Sequence, residues 1–507
     1  MKSNRAVVNT IANIVSKVWS MVSIYLFVPI YIKYLGEEAY GLVSFFATMQ
    51  AALNLLGLGL SSTLRREFAL SIEGGYEHSL RKYKLLRSCE TIFFVIAVII
   101  FSICMAGSNW IADTWLDSTT LGEDVVAISI GLMGASIALQ LVANLYFGAM
   151  LGLARQVLAN AIHIVYSAVK AIGSVVVIMF VSSDIRYFYV WHVLVDLMYI
   201  IIIRVSLVHI LSKDGKMHWN VKDFVLLKSI WKYALGLVVI SLIAFINKQL
   251  DRILISKYVS LTELGAYNSC YSLGQIVTII SSAFATAVFS EFTNLFSDST
   301  DKLQLIKSYK ENYRLIVVLA GSIGLFVASY AEDLLYFWTG SGNYVSIMQF
   351  SATLIVLGSM ILAFQEIPYA FLLAQGNTKI NRQMGIISLV PYVLILFILT
   401  RKYTVFGAAL AYFVVMFVQT VVYVCIVYKK YCGKDMAKWF VNETVVPLTF
   451  ISLIAFGSKY VSSMIGMNNF ATVVFAVLVG GITMVCMLLL FCKSYVLSLV
   501  GKKRSDR

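Results

Sequence analysis

The chain has 507 residues, 60% of them hydrophobic and 13% charged, with a formal net charge of +14 and a mean hydropathy of +0.84. Apolar stretches long enough to cross a bilayer recur from end to end, which excludes a soluble globular domain and a disordered chain. They are continuous and lack period-two alternation. This excludes a membrane β-barrel and leaves an all-α polytopic membrane protein, because a backbone in lipid must satisfy its own hydrogen bonds.

Apolar windows between charged or turn-rich breaks predict about fourteen spans of roughly 20 residues or more. Their approximate limits are 7–32, 40–64, 89–108, 125–150, 157–181, 187–211, 233–255, 264–289, 313–331, 346–374, 383–400, 404–428, 443–465 and 469–492. The first is too long for a signal-peptide core and lacks a small-residue cleavage site, so it is expected to remain as a helix. It carries Lys17 in "NTIANIVSKVWSM", about 15 Å along the helix and near the midplane, where snorkelling reaches least far. Asn9, Asn13, Ser16 and Ser20 share parts of its helical sector. Lys17 is therefore read as meeting a bound anion in a wet lining, with a tertiary salt bridge as the competing reading. Arg65 and Arg66 end the second span on its cytoplasmic side, as Glu291 ends the eighth. They are candidates to receive a charged headgroup at the inner opening, or else helix-end anchors. Spans five and six are antiparallel neighbours that place Lys170 and Asp196 at similar depth. A buried ion pair is the preferred reading. The alternative makes Asp196 a proton or sodium site released when Lys170 moves. His163 and His192 are expected to be satisfied within the bundle.

Span seven contains "AFINKQLDRILIS" at 244–256. The apolar run from Ala234 to Ile246 is too short to cross, so the span must continue through Lys248, Asp251 and Arg252. These three share one helical face, which carries net positive charge. A charge facing lipid costs about 2.5–3.5 kcal/mol, so that face should turn inward or toward water. It is either a cationic wall for diphosphate or acidic sugar, or an ion pair with a snorkelling lysine. In span ten, Glu366 precedes Pro368 in "FQEIPYAF". A hinge is expected at this proline, which frees a backbone hydrogen bond, and Glu366 is a candidate proton site. Pro29, Pro391 and Pro447 are read as kinks in the same way. Tyr25, Tyr31, Tyr267 and Tyr271 are candidates to stack on sugar rings. The seven cysteines form no CxxC pair and no metal-ligand spacing with the five histidines, so no cofactor or metal chemistry is assigned.

Placing the N-terminus in the cytoplasm puts most of the 40 Lys and Arg residues inside. Only Lys33, Arg186, Lys257, Arg401, Lys402 and Lys459 fall in outer segments, and the outer loop "GSNWIADTWLDSTTLGED" has no base. This is the positive-inside pattern, with both ends cytoplasmic. Basic loops against anionic lipid account for the charge, so no nucleic-acid partner is implied. No loop is long enough for a folded catalytic domain, which argues against an enzyme. "KYLGEEAYGL" (33–42) and "KYVSLTELGAY" (257–267) match at a shift of 224, as do Glu67-Phe68 with Glu291-Phe292 and "FGAMLGLAR" with "FLLAQGNTK". Two parallel six-span halves are therefore expected, at 1–211 and 233–428, joined by a cytoplasmic linker at 212–232. A further helix pair and basic tail follow at 429–507.

With "FVPIYIKYLGEEAYGLVSFF", "FINKQLDRILISKYVSLTELGAYNSCYSL" and "AQGNTKINRQ", the chain resembles the polysaccharide-transporter branch of the multidrug/oligosaccharidyl-lipid/polysaccharide (MOP) exporter superfamily. The resemblance implies a Wzx-type flippase of lipid-linked O-antigen or capsule repeat units in a bacterial inner membrane. Its implied cargo is an undecaprenyl-diphosphate-linked oligosaccharide, and its implied partners are membrane lipids, a polysaccharide polymerase and a chain-length regulator. Coupling to a proton or sodium gradient is a further expectation. The rivals are a multidrug extruder, whose cavity should be acidic and aromatic, a peptidoglycan-precursor flippase, and a structural scaffold without transport. Bases outnumbering acids within the spans favours anionic cargo.

Overall fold

A computed structural model describes residues 19, 22–23, 25–69, 76–212, 249–297, 302–376, 378–431, 433 and 435–493. Lys17, Lys248 and most of the expected 212–232 linker lie outside these residues. The described residues are helical throughout, with one isolated bridge between Asp117 and Ser260. The chain divides into two compact units, Met1–Gly265 and Ala266–Arg507.

The first unit contains α1 (Tyr25–Leu35), α2 (Glu37–Ala69), α3 (Tyr76–Trp110), α4 (Glu123–Gly152), α5 (Gln156–Val176) and α6 (Ile185–Leu211). The helical residues 249–258 form α7. Helices α3 and α5 each end in one π turn, at Ile111–Trp115 and Val177–Val181. α4 packs against α2, α3 and α6. Its apolar residues run all round the helix, the pattern of a helix at the centre of a bundle. Gly36, at φ 91°, turns the chain between α1 and α2 in a conformation that a side chain would strain. Asp184 caps α6 by accepting the Arg186 backbone N–H at 2.8 Å. Hydrogen bonding to the Arg186 side chain holds the Asp184 carboxyl below the usual carboxylate range.

The loop after α3 straps across two helical hairpins. Glu38, at the start of α2, accepts the backbone N–H groups of Thr119 and Thr120 at 2.5 and 2.7 Å. Further along, Trp115 Nε1 donates to Ser256 Oγ at 3.1 Å and Leu261 N donates to the Asp117 carbonyl at 3.0 Å. Gly41 lies against the Leu261 backbone so closely that a Cβ there would meet its carbonyl oxygen at 1.8 Å. These contacts tie α7 to the first unit. Ser256 and Leu261 both fall within the first unit, Met1–Gly265.

The second unit begins within α8 (Leu261–Ser297) and continues through α9 (Lys302–Ser329), α10 (Ala331–Thr339), α11 (Gly342–Ala374) and α12 (Thr378–Tyr431). It ends with α13 (Met436–Phe440), a π turn at Val441–Val445, α14 (Val446–Ile465) and α15 (Asn469–Phe491). Here α9 is the central helix, packed on α11, α14 and α15. α12 covers two expected spans and folds back at Tyr403 and Thr404, whose dihedrals are non-helical. Pro368 lies within a helical stretch of α11, and the non-helical residue of that helix is Gln349. The backbone break thus sits 19 residues before the expected hinge. Pro447 occupies the first turn of α14, where its missing N–H is not needed. Ten helices among the described residues are long and apolar enough to cross a membrane. One of these, Lys379–Tyr431, has the length of two crossings, an arrangement compatible with fourteen spans.

Candidate functional site

The most developed polar site inside the helices is in the first unit, where three of them each contribute a pair of side chains one turn apart. α4 supplies Ser136 and Gln140, α5 supplies Tyr166 and Lys170, and α6 supplies His192 and Asp196. Lys170 Nζ donates to both oxygens of Asp196, at 2.8 and 3.0 Å, and to the Tyr166 hydroxyl at 3.2 Å. Asp196 also accepts from Tyr166 at 2.5 Å, from Gln140 Nε2 at 3.1 Å and from Ser136 Oγ. The Lys170 and Asp196 side chains are 11% and 1% exposed. A charge so deeply placed is tolerated only with a partner and full hydrogen bonding, and this pair has both. His192 Nε2 lies 3.1 Å from Ser174 Oγ, which donates to the Lys170 carbonyl at 2.7 Å. His192 Nδ1 has no hydrogen-bond partner among the described residues.

The other predicted residues are dispersed. Asp251 is buried in α7, while the half-buried Arg252 donates to Gln249 Oε1 at 3.1 Å. Arg65 and Arg66 are exposed at the end of α2. Glu291 accepts from Ser308 Oγ at 2.6 Å, which ties α8 to α9. Glu366 is half-buried in α11, and Tyr31 and Tyr267 are buried. Tyr271 lies 5.9 Å from Tyr412, ring to ring.

Three further ion pairs between helices stand among the described residues, one of them Lys459 of α14 with Asp333 of α10. In the first unit, Glu90 of α3 accepts from Arg204 Nε and the Tyr146 hydroxyl, both at 2.9 Å, and pairs with Arg87. Glu90 and Arg204 stand at the same end of antiparallel spans. They belong to spans three and six, which are not consecutive, so depth matching of the kind that related Lys170 to Asp196 does not single them out. In the second unit, Arg314 of α9 grips Glu443. Cys492 is buried just past α15. Among the described residues, no three His, Cys, Asp or Glu side chains are placed to hold a metal ion.

The profile of a family described as polysaccharide biosynthesis protein matches residues 6–296, more than half of the chain. The chain belongs to that family. A Shigella flexneri relative named as an O-antigen transporter is 24% identical over 200 residues, 39% of this chain and 46% of the relative. That alignment therefore spans less than half of the relative's length. Among solved structures, the chain is similar to the lipid II flippase MurJ in an inward closed conformation. The TM-score is 0.70 and the identity 14%, over 97% of this chain and 100% of that one. It is also similar to an inward-facing multidrug resistance MATE family transporter of the MOP superfamily. There the TM-score is 0.67 and the identity 12%, over 83% and 96% of the two chains. At such identities the likeness is one of fold. This family member is a multi-pass membrane protein with the MOP fold.

Proposed function

We propose that the protein is a flippase that moves an undecaprenyl-diphosphate-linked oligosaccharide from the cytoplasmic to the outer leaflet of a bacterial inner membrane. The observation that carries this reading is the family match over residues 6–296 on a MOP fold. The name of the Shigella relative and the flippase fold-mate lend it support. Transport proceeds by alternating access. The glycan and diphosphate enter a polar path while the polyprenyl tail stays in lipid, and Lys17, Lys248 and Arg252 replace the hydration of the phosphates. Charge-assisted hydrogen bonds of this kind orient as well as attract. Arg65 and Arg66, exposed at the inner end of α2, meet the headgroup first.

The fold is also that of multidrug transporters, so an organic-cation antiporter is the second reading. The charges weigh against it. A site for organic cations needs carboxylates available to the ligand, whereas Asp196, Glu90 and Glu443 each already hold a lysine or arginine.

The test is translocation of a fluorescent undecaprenyl-diphosphate oligosaccharide in proteoliposomes, with organic-cation efflux followed in the same vesicles. The native protein is expected to move the lipid and not the cation. Lys17→Ala should slow it at least about tenfold, the equivalent of one charge-assisted hydrogen bond. Cation efflux without lipid translocation would overturn the flippase reading.

A further inference from the structure

Lys170 sits where a small cation would sit. Its ammonium has three N–H donors, and all three are used, on the two Asp196 oxygens and on the Tyr166 hydroxyl. The same carboxylate accepts from Ser136 and Gln140 on a third helix. Without the ammonium, three oxygens face the point it leaves, Asp196 Oδ1 and Oδ2 and Tyr166 Oη. Ser136 Oγ and Gln140 Nε2 hold the carboxylate from the third helix, and Gln140 Oε1 accepts from Gln50. The three facing groups are the donor set of a hard monovalent cation, oxygens only and a single carboxylate.

We infer that this cage is a monovalent-cation site filled permanently by the chain's own ammonium, and that Lys170 is a tethered substitute for sodium. Stability alone does not account for the arrangement, since apolar side chains of similar volume serve a buried position as well as an ion pair does. The tether keeps the site neutral and polar while closing it to exchange with the bulk. Two hydrogen bonds reach the flanks of Lys170, the second of them from α1: Trp19 Nε1 donates to Ser167 Oγ at 3.0 Å, and Tyr31 Oη donates to the Ala171 carbonyl at 3.5 Å. A change in the cage therefore reaches α1 directly. The consequence is that this unit draws no drive from a sodium gradient through Asp196. The inference concerns the cation chemistry of the unit and holds whatever the cargo is.

The experiment is thermal unfolding of the full-length protein in detergent, in sodium chloride against choline chloride at equal ionic strength and pH. The native protein should melt at the same temperature in both salts. Lys170→Met, which keeps the volume and removes the charge, should melt several degrees higher in sodium, with a saturable dependence. Lys170→Met combined with Asp196→Asn should lose that dependence. A sodium shift in the native protein that Asp196→Asn abolishes would overturn the proposal, because the cage would then be open to bulk sodium. So would a Lys170→Met protein with no preference between salts. If Lys170→Met assembles only in sodium, the proposal stands. If it fails in both salts while the double variant assembles, the cage does not accept sodium and the proposal falls.

Discussion

The guanidinium of Arg314 joins three segments that are far apart in sequence. Its Nη2 donates to Glu443 Oε1 at 2.5 Å, its Nε pairs with the other carboxylate oxygen, and its Nη1 donates to the Phe491 carbonyl at 3.0 Å. The first two form the bidentate fork that only arginine provides. The third satisfies one of the carbonyls that the end of α15 leaves without a helical partner. One side chain thus clamps the terminal helix pair onto α9. About a third of the Arg314 side chain is exposed, so solvent screening reduces its value from that of a fully buried pair. Arg314→Ala is expected to cost about 1–3 kcal/mol, read as a lower melting temperature in detergent, and Arg314→Lys should recover only part of it. An unchanged melt in Arg314→Ala would mean that the clamp contributes nothing. The same comparison shows which charges a sequence reveals. Lys170 and Asp196 are 26 residues apart on consecutive spans, so rise per residue alone brings them level. Arg314 and Glu443 are 129 residues apart, and only the packing of α9 against the last helices makes them neighbours.

At the scale of elements, α12 shows what hydropathy can and cannot read. The charged break "TRKYT" separates two apolar runs, and the chain does reverse there, at Tyr403 and Thr404. The reversal needs the returning limb to come within backbone contact of the first, and Gly407 allows it. A Cβ at Gly407 would lie 1.9 Å from the Leu399 carbonyl oxygen, whereas one at Gly385 in the same helix would meet nothing within 4 Å. Gly407→Ala should therefore destabilise the hairpin by about 1–3 kcal/mol, the usual cost of overpacking. Gly385→Ala should be neutral, or stabilising by up to about 1 kcal/mol through helix propensity. Melting the two variants side by side checks this, and equal effects would mean that the hairpin is not held by the close approach. Long apolar runs are legible because the bilayer dictates their length. The break in α11 at Gln349 is not, because no proline or glycine marks it and Pro368 draws attention elsewhere. The strap escaped for a similar reason. Glu38, Thr119 and Thr120 read as ordinary loop residues until the fold sets them against each other.

For the whole molecule, the arrangement of charge decides how the proposed transport responds to voltage. Lys170 is neutralised by Asp196 within the first unit, and Arg314 by Glu443 within the second. Charges paired inside one rigid unit add nothing to the net charge carried across. What crosses is the diphosphate, less any bases that move with it. An inside-negative potential favours outward movement of an anion by about 2.3 kcal/mol per charge per 100 mV. If the cargo crosses with its charge uncompensated, a potassium-diffusion potential of roughly that size, negative on the cytoplasmic side, should speed translocation by up to about 50-fold per charge. If two of Lys17, Lys248 and Arg252 accompany the diphosphate, their charge cancels its two and the rate becomes insensitive to voltage. The expected outcome is acceleration, because in the proposed alternating access the cargo crosses the bilayer while the bases stay with the chain. A flat response in the native protein would assign those bases to the moving charge. A voltage dependence that then returned in Lys17→Ala would identify Lys17 as the base that travels.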